Sequence, residues 1–356
     1  MKKPKISSKL KNPIRRRKGE EARVTEAFEN VPRITNDTVA EHREAVLSGA
    51  RKFIYPLQHS KHRVVRTSAV LLVTALIAFL SYVGLALYKF QSTSTFVYDV
   101  TRVLPLPVAK AGDKYVSYES YLFELRRNMH YYRTQQQTDF DSNDGKVQLE
   151  RLKTQAMNSV VQAAYVKQLA EPKNISVSNQ EVRDQVTLVR SQNRLGSSDR
   201  VFKDVLNEFW GWSVADFERA LRQQLLQQKV ATTLDTQSKA KAVITMAELK
   251  GGADFAAVAT AKSEDPATKV NGGQYPQPIT KSDTTVPPIL TAAIFSLKAG
   301  QTSEVINTGY AYEIVKATTV TDKSVTASHI QFGIRDISEY VKPLAKKNPS
   351  STYIKF

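Results

Sequence analysis

Few side chains in this 356-residue chain stand at spacings that chemistry demands. Asp139, Asp141, Asn143 and Glu150 fall at positions 1, 3, 5 and 12 of a calcium-loop spacing, which would gather oxygen ligands around a hard cation. The glycine that such a loop needs at position 6 is Asp144, with Gly145 one residue late, so the stretch reads as a polar connection between helices. His59 and His62, in QHSKHRVVR, are near enough to share a metal, but their neighbours are basic and no carboxylate is close. Cysteine is absent, which excludes disulfides, zinc–thiolate sites and thiol nucleophiles. No P-loop, dinucleotide glycine fingerprint or serine-nucleophile elbow occurs. The expectation is a protein without metal or cofactor.

The elements are more informative. Apolar residues make up 41% of the chain, enough to bury a core, and the length suits about two domains. The net charge of +17 is uneven: residues 1–67 carry +10 and the remaining 289 carry +7. Ser68 to Tyr88 is a run of 21 residues without a charge. At ~1.5 Å per residue it spans ~30 Å, the depth of a bilayer's hydrocarbon core. Residues 68–88 therefore read as a transmembrane helix, and the basic excess before it sets the N-terminus in the cytoplasm. Residues 1–67 read as a basic, largely disordered cytoplasmic arm. Aromatic residues do not interleave with its basic run, which argues against nucleic acid.

Residues 89–112 read as a linker with a short extended piece, because Pro105 and Pro107 deny it a helical interior. Residues 113–234 read as a helical domain. Ser117 can cap SYESYLFELRRNMHYY. Leu149, Leu152, Ala156, Val160 and Ala164 recur every three to four residues. Ser178 and Glu181 form a capping box, and a further helix starts at Ser213 with Asp216 three residues on. Trp210 and Trp212 read as core anchors for a helix pair. Residues 235–332 change character: short helices, a loop rich in glycine and proline, then the strand-like runs SEVINT, YAYEIVKATTV and TASHIQF. Residues 333–356 read as a C-terminal tail. The fold class is α+β.

Four pieces of the last region occur in order: ELKGGADFAAVA, SEDPATKVNGG, VPPILTAAIFSLKAGQTSEVINT and GYAYEIVKA. Together they resemble the parvulin family of peptidyl-prolyl cis/trans isomerases. The helical region, through AGDKYVSYESY, ISVSNQEV and FWGWSVADFERALRQQLLQQKV, resembles the chaperone part of SurA-like and PrsA-like extracytoplasmic foldases. The resemblance implies an apolar proline pocket lined by Val286, Leu290 and Phe295, with Thr308 and Tyr275 as further substrate contacts. It implies that Asp265 faces the bound amide. The family usually has Met and Phe where this chain has Val286 and Leu290, so a shallower pocket is expected.

Two departures stand out. The family's last strand carries a histidine, and here the position is Glu313. Its first strand is an S-H-I/L-L run expected before residue 240, yet TASHIQF, with Ser328 and His329, follows the last strand. A hairpin around residues 321–324 would fold TASHIQF against YEIVKA, so that the C-terminal strand fills the first-strand position and His329 approaches Glu313. Alternatives are that TASHIQF begins a second, truncated parvulin unit, or that His329 is a lone exposed strand histidine. The resemblance implies a membrane-anchored foldase acting on unfolded or nascent exported polypeptides that contain proline. Its candidate catalytic residues are Asp265, Glu313, His329 and Ser328. A holdase of the same fold with little isomerase activity, or a scaffold using the basic arm, are the other readings.

Overall fold

The computed structural model describes residues 34–54, 57–191 and 198–356. The chain divides into two units, Met1–Leu80 and Ser81–Phe356. In the first, α1 (Asn36–Ile54) precedes most of α2 (Leu57–Gly84). Part of the stretch read as a disordered arm is thus helical, and residues 1–33 of that reading lie outside the described residues. The apolar side chains from Val70 to Leu76 on α2 are exposed. Arg63–Lys89 is, among the described residues, the one helix long and apolar enough to cross a bilayer.

The second unit begins at Ser81, in the last turn of α2, which then passes into one π-helical turn, Leu85–Lys89. Val83, Ala86 and Leu87 are buried there, and the Tyr118 hydroxyl donates to the Leu87 carbonyl at 2.6 Å. The segment 89–112, read as a linker, is ordered structure: α3 (Thr95–Val103) and β1 (Pro107–Ala111). Ser94 caps α3 and the helix ends at Val103, before the prolines, so Pro105 and Pro107 limit its length without preventing it. β2 (Lys114–Ser117) pairs with β1.

The helices that follow start where the polar residues allow. Ser117 caps α4 (Tyr118–Gln135) and Ser142 caps α5 (Asn143–Ala170). The acidic stretch weighed for calcium is spent on this start: the Asp139 carboxylate accepts from the Asp141 amide at 2.9 Å, and Gly145 packs against the Asp139 carbonyl. Ser178 and Glu181 form their reciprocal pair at the start of α6 (Asn179–Ser191). Gly211, in the left-handed region, closes α7 (Asp199–Trp210), and a capping box of Ser213 and Asp216 opens α8 (Val214–Leu234).

Asp235 then starts α9 (Thr236–Lys250), followed by α10 (Phe255–Lys262), α11 (Pro266–Lys269), β3 (Ile279–Thr280) and α12 (Pro288–Ser296). β4 (Ile306–Asn307), β5 (Ala311–Val320) and β6 (Ser324–Gly333) complete an antiparallel sheet of order β3-β6-β5-β4. Helices α9 and α10 cover one face through Met246, Phe255, Ile314, Ile330 and Phe332. Helix α12 covers the other through Leu290, Ile294, Val315 and Ala317.

Residues 333–356 are no tail. They form α13 (Ile337–Lys347) and β7 (Ser350–Thr352), which pairs with β1 to give a three-stranded sheet of order β2-β1-β7. Ile337, Val341 and Ile354 are buried in the core of the helical region, beside Tyr165, Val166 and Val230. A strand of three residues carries too little pattern to announce itself, and its partner lies more than 230 residues earlier.

Candidate functional site

The site is built on the β5–β6 hairpin. Thr321 and Ser324 close its turn, with the Thr321 amide donating to the Ser324 carbonyl at 2.9 Å. The resulting register sets His329 opposite Val315 and Gln331 opposite Glu313. Side chains two apart on one strand share a face, so His329 and Glu313 are diagonal neighbours rather than a direct pair. They nevertheless meet: His329 Nδ1 lies 2.8 Å from Glu313 Oε2, and both side chains are buried. Ser328 falls on the opposite face of β6, paired with Lys316, and does not join the cluster.

The other nitrogen of the ring is held as well. His329 Nε2 lies 3.0 Å from Asp265 Oδ2 and 2.8 Å from Thr268 Oγ1. Asp265 is placed by its own capping of α11, where it accepts from the Ala267 amide at 3.1 Å and the Thr268 amide at 3.2 Å. The Thr268 hydroxyl donates to Asp265 at 2.5 Å. Burial raises the Asp265 pKa, but the hydrogen bonds from Thr268, Ala267 and His329 outweigh it and hold the carboxyl below its ordinary value. A ring with a carboxylate on each nitrogen can donate to both only as the imidazolium. The Tyr275 ring stacks on His329 with centroids 4.4 Å apart. Burial, then the charges of Glu313 and Asp265, push the Tyr275 phenol up, so it stays neutral and can donate a hydrogen bond.

The loop before β3 is pressed against this strand. Gly273 accepts from the His329 amide at 2.8 Å, and a Cβ at Gly273 would come 2.2 Å from the His329 carbonyl oxygen. Its φ of +79° is a second reason for glycine.

Of the three side chains expected to line a proline pocket, two are buried and one borders a cavity. Val286 is 4% exposed and Leu290 1% exposed, both packed into the core beneath β5 and β6. Phe295 is half-buried and borders a cavity of about 370 Å³, together with Pro288, Thr291, Ala292 and the Lys281–Thr284 loop. Thr308 is occupied in the β4–β5 turn, where its hydroxyl contacts the Ala311 carbonyl and amide at 3.0 Å each. Thr268 was missed by sequence reasoning. The signal was there, since a threonine three residues after a helix-capping aspartate is set to share its carboxylate.

Residues 58–231 match the family described as SurA-like N-terminal domain, and residues 225–319 match the PPIC-type PPIASE domain. The chain thus carries a SurA-like N-terminal domain joined to a parvulin domain of the PPIC peptidyl-prolyl isomerase type. Foldase protein PrsA of Caldanaerobacter subterraneus is 27% identical over 201 residues, covering 50% of this chain and 61% of that relative, so the chain spans about three-fifths of its length. A solved structure of foldase protein PrsA from Streptococcus pneumoniae is 19% identical, covers 54% of this chain and 76% of that one, and has a TM-score of 0.18. The PPIC match ends at residue 319, so His329 lies on a strand beyond it.

Proposed function

We propose that the chain is a membrane-anchored foldase that catalyses cis/trans isomerisation of X–Pro bonds in polypeptides folding outside the cytoplasm. The observation that carries this is the buried His329 held between Glu313 and Asp265, on a strand added to the matched isomerase domain. In this reading β6 fills the position of the family's first strand, as in a circular permutation, and Glu313 replaces the family's second histidine.

Rotation about an X–Pro bond faces a barrier of ~18–20 kcal/mol because resonance keeps the amide planar. Lowering it needs no cofactor and no covalent intermediate, only an environment that prefers the twisted amide. Asp265 supplies such an environment. An anion beside the carbonyl oxygen disfavours the charge-separated resonance form, and so favours the geometry in which resonance is lost. His329 and Thr268 orient that carboxylate, and Glu313 orients His329. Phe295 and the cavity beside it receive the prolyl ring, and Tyr275 donates to the substrate backbone. The exposed apolar run on α2 supports a bilayer-spanning role, with the second unit on the outer side.

A second reading, a holdase with little isomerase activity, is favoured by the burial of Val286 and Leu290. The full chain in detergent, assayed on a proline-containing peptide, separates the two. The foldase reading expects acceleration that is lost in Asp265→Ala. Background rates together with suppressed aggregation of a denatured client would select the holdase.

A further inference from the structure

A group of basic side chains lies outside the isomerase site. A cavity of about 690 Å³ opens between α3, α4 and the turn from Trp210 to Asp216. Arg126, His130 and Arg133 stand four and three residues apart on one face of α4 and line it, with Arg102 from α3 beside them. Arg127 also lines it but is paired with Glu124 at 2.8 Å. One carboxylate reaches the lining, Asp216, and it is engaged by the Ser213 amide at 3.0 Å and hydroxyl at 2.6 Å. Arg126 bonds the Thr93 carbonyl and, at 3.1 Å, the Thr95 hydroxyl, and lies 5.1 Å above the Tyr98 ring. Arg133 lies 5.7 Å from the Phe140 ring. Neither has a carboxylate partner among the described residues, and Arg102 stands 3.9 Å from the exposed Asp99. Guanidinium forks without a carboxylate partner, as on Arg126 and Arg133, match the oxygens of a phosphate group.

The surface beside the cavity says where such a phosphate would come from. Phe90, Phe96 and Val103 are 70%, 55% and 80% exposed on the π-turn end and on α3. The ring of Tyr82, on the last turns of α2, lies 6.5 Å from that of Phe96. Helix α3 therefore carries an exposed apolar patch next to the end of the apolar helix, and also borders the arginine cavity. Tyr98, Trp210 and Trp212 wall the cavity with the amphipathic rings favoured at the membrane–water boundary. We propose that this cavity binds the headgroup phosphate of an anionic phospholipid, with α3 lying in the headgroup layer. This inference rests on the reading of α2 as a bilayer-spanning helix.

Both tryptophans of the chain, Trp210 and Trp212, line the cavity, so intrinsic fluorescence reports on it directly. The full chain in a neutral detergent is titrated with short-chain phosphatidylglycerol. A saturable change is expected, with none from short-chain phosphatidylcholine or inorganic phosphate at the same concentrations. The double variant Arg102→Glu/Arg133→Glu, at the exposed rim, should weaken the midpoint by about tenfold or more. Arg126→Lys, which keeps the charge and loses the fork, should weaken it several-fold. Equal responses to phosphatidylcholine or phosphate, tighter binding of an acidic peptide, or an unchanged midpoint in either variant would overturn the proposal. Alkaline extraction of membranes reads the anchor separately. A chain that is extracted yet binds phosphatidylglycerol removes the anchor and keeps the site. A chain that stays in the membrane without a lipid response removes the site.

Discussion

His329 shows how little a buried polar cluster needs beyond correct register. Its two nitrogens meet carboxylates brought by β5 and by the cap of α11. Removing the ring leaves Glu313 buried without its partner, so His329→Ala should cost about 3–5 kcal/mol in stability by denaturant titration. Glu313→Gln keeps an acceptor for Nδ1 and should leave the fold intact, yet lower kcat/KM for a proline peptide by about a hundredfold through loss of the carboxylate charge beside the ring. Gly273→Ala is expected to be worse for the fold than its size suggests. Its methyl group would collide with the His329 carbonyl and its φ is unfavourable, so a loss of about 2–4 kcal/mol should be measured in the same titration. The meeting of His329 and Glu313 was legible because a hairpin relates residues only 16 apart, and alternation fixes their shared face. Val286 and Leu290 are buried, and an apolar side chain looks the same in sequence whether it lines a pocket or fills the interior.

At the scale of elements, Asp235 ends the helical region and starts α9. Its carboxylate accepts from the Ser238 amide at 3.0 Å and the Arg335 amide at 2.8 Å, and it is fully buried. Burial raises its pKa, but the bonds from Arg335 and Ser238 prevail and the net shift is downward. Its contribution is therefore complete above the unfolded carboxylate value of about 3.9 and is lost as pH falls through the folded value. Acid titration monitored by circular dichroism should show a transition below about pH 4 that Asp235→Asn weakens at its upper end. The segments at 89–112 and 333–356 show the limit of local pattern. Prolines mark where a helix cannot continue, but Ser94 at its start was the stronger signal for α3. The final residues gain structure only from partners far away in the chain. Deleting residues 334–356 removes the buried Ile337, Val341 and Ile354, each worth about 1.5–3 kcal/mol. The truncated chain should lose its cooperative thermal transition.

At the scale of the molecule, the isomerase region is an insertion. The helical region leaves at Asp235 and resumes at Arg335, and these two residues are in direct hydrogen-bond contact. Replacing residues 237–332 with a short Gly/Ser linker should therefore preserve a folded, largely helical protein with a cooperative melt, and abolish isomerase activity. The same topology has a consequence for how the protein is made. The first strand beyond the apolar helix finds one of its two neighbours only at Ser350–Thr352. A copy emerging N-terminus first must reach residues 350–352 before that seam can be sewn. Until then a raw strand edge is on view, the kind of feature that proteases and scavenging chaperones seize. The fold itself thus inspects this seam: a ribosome that stops before residue 350 yields a product that cannot fasten.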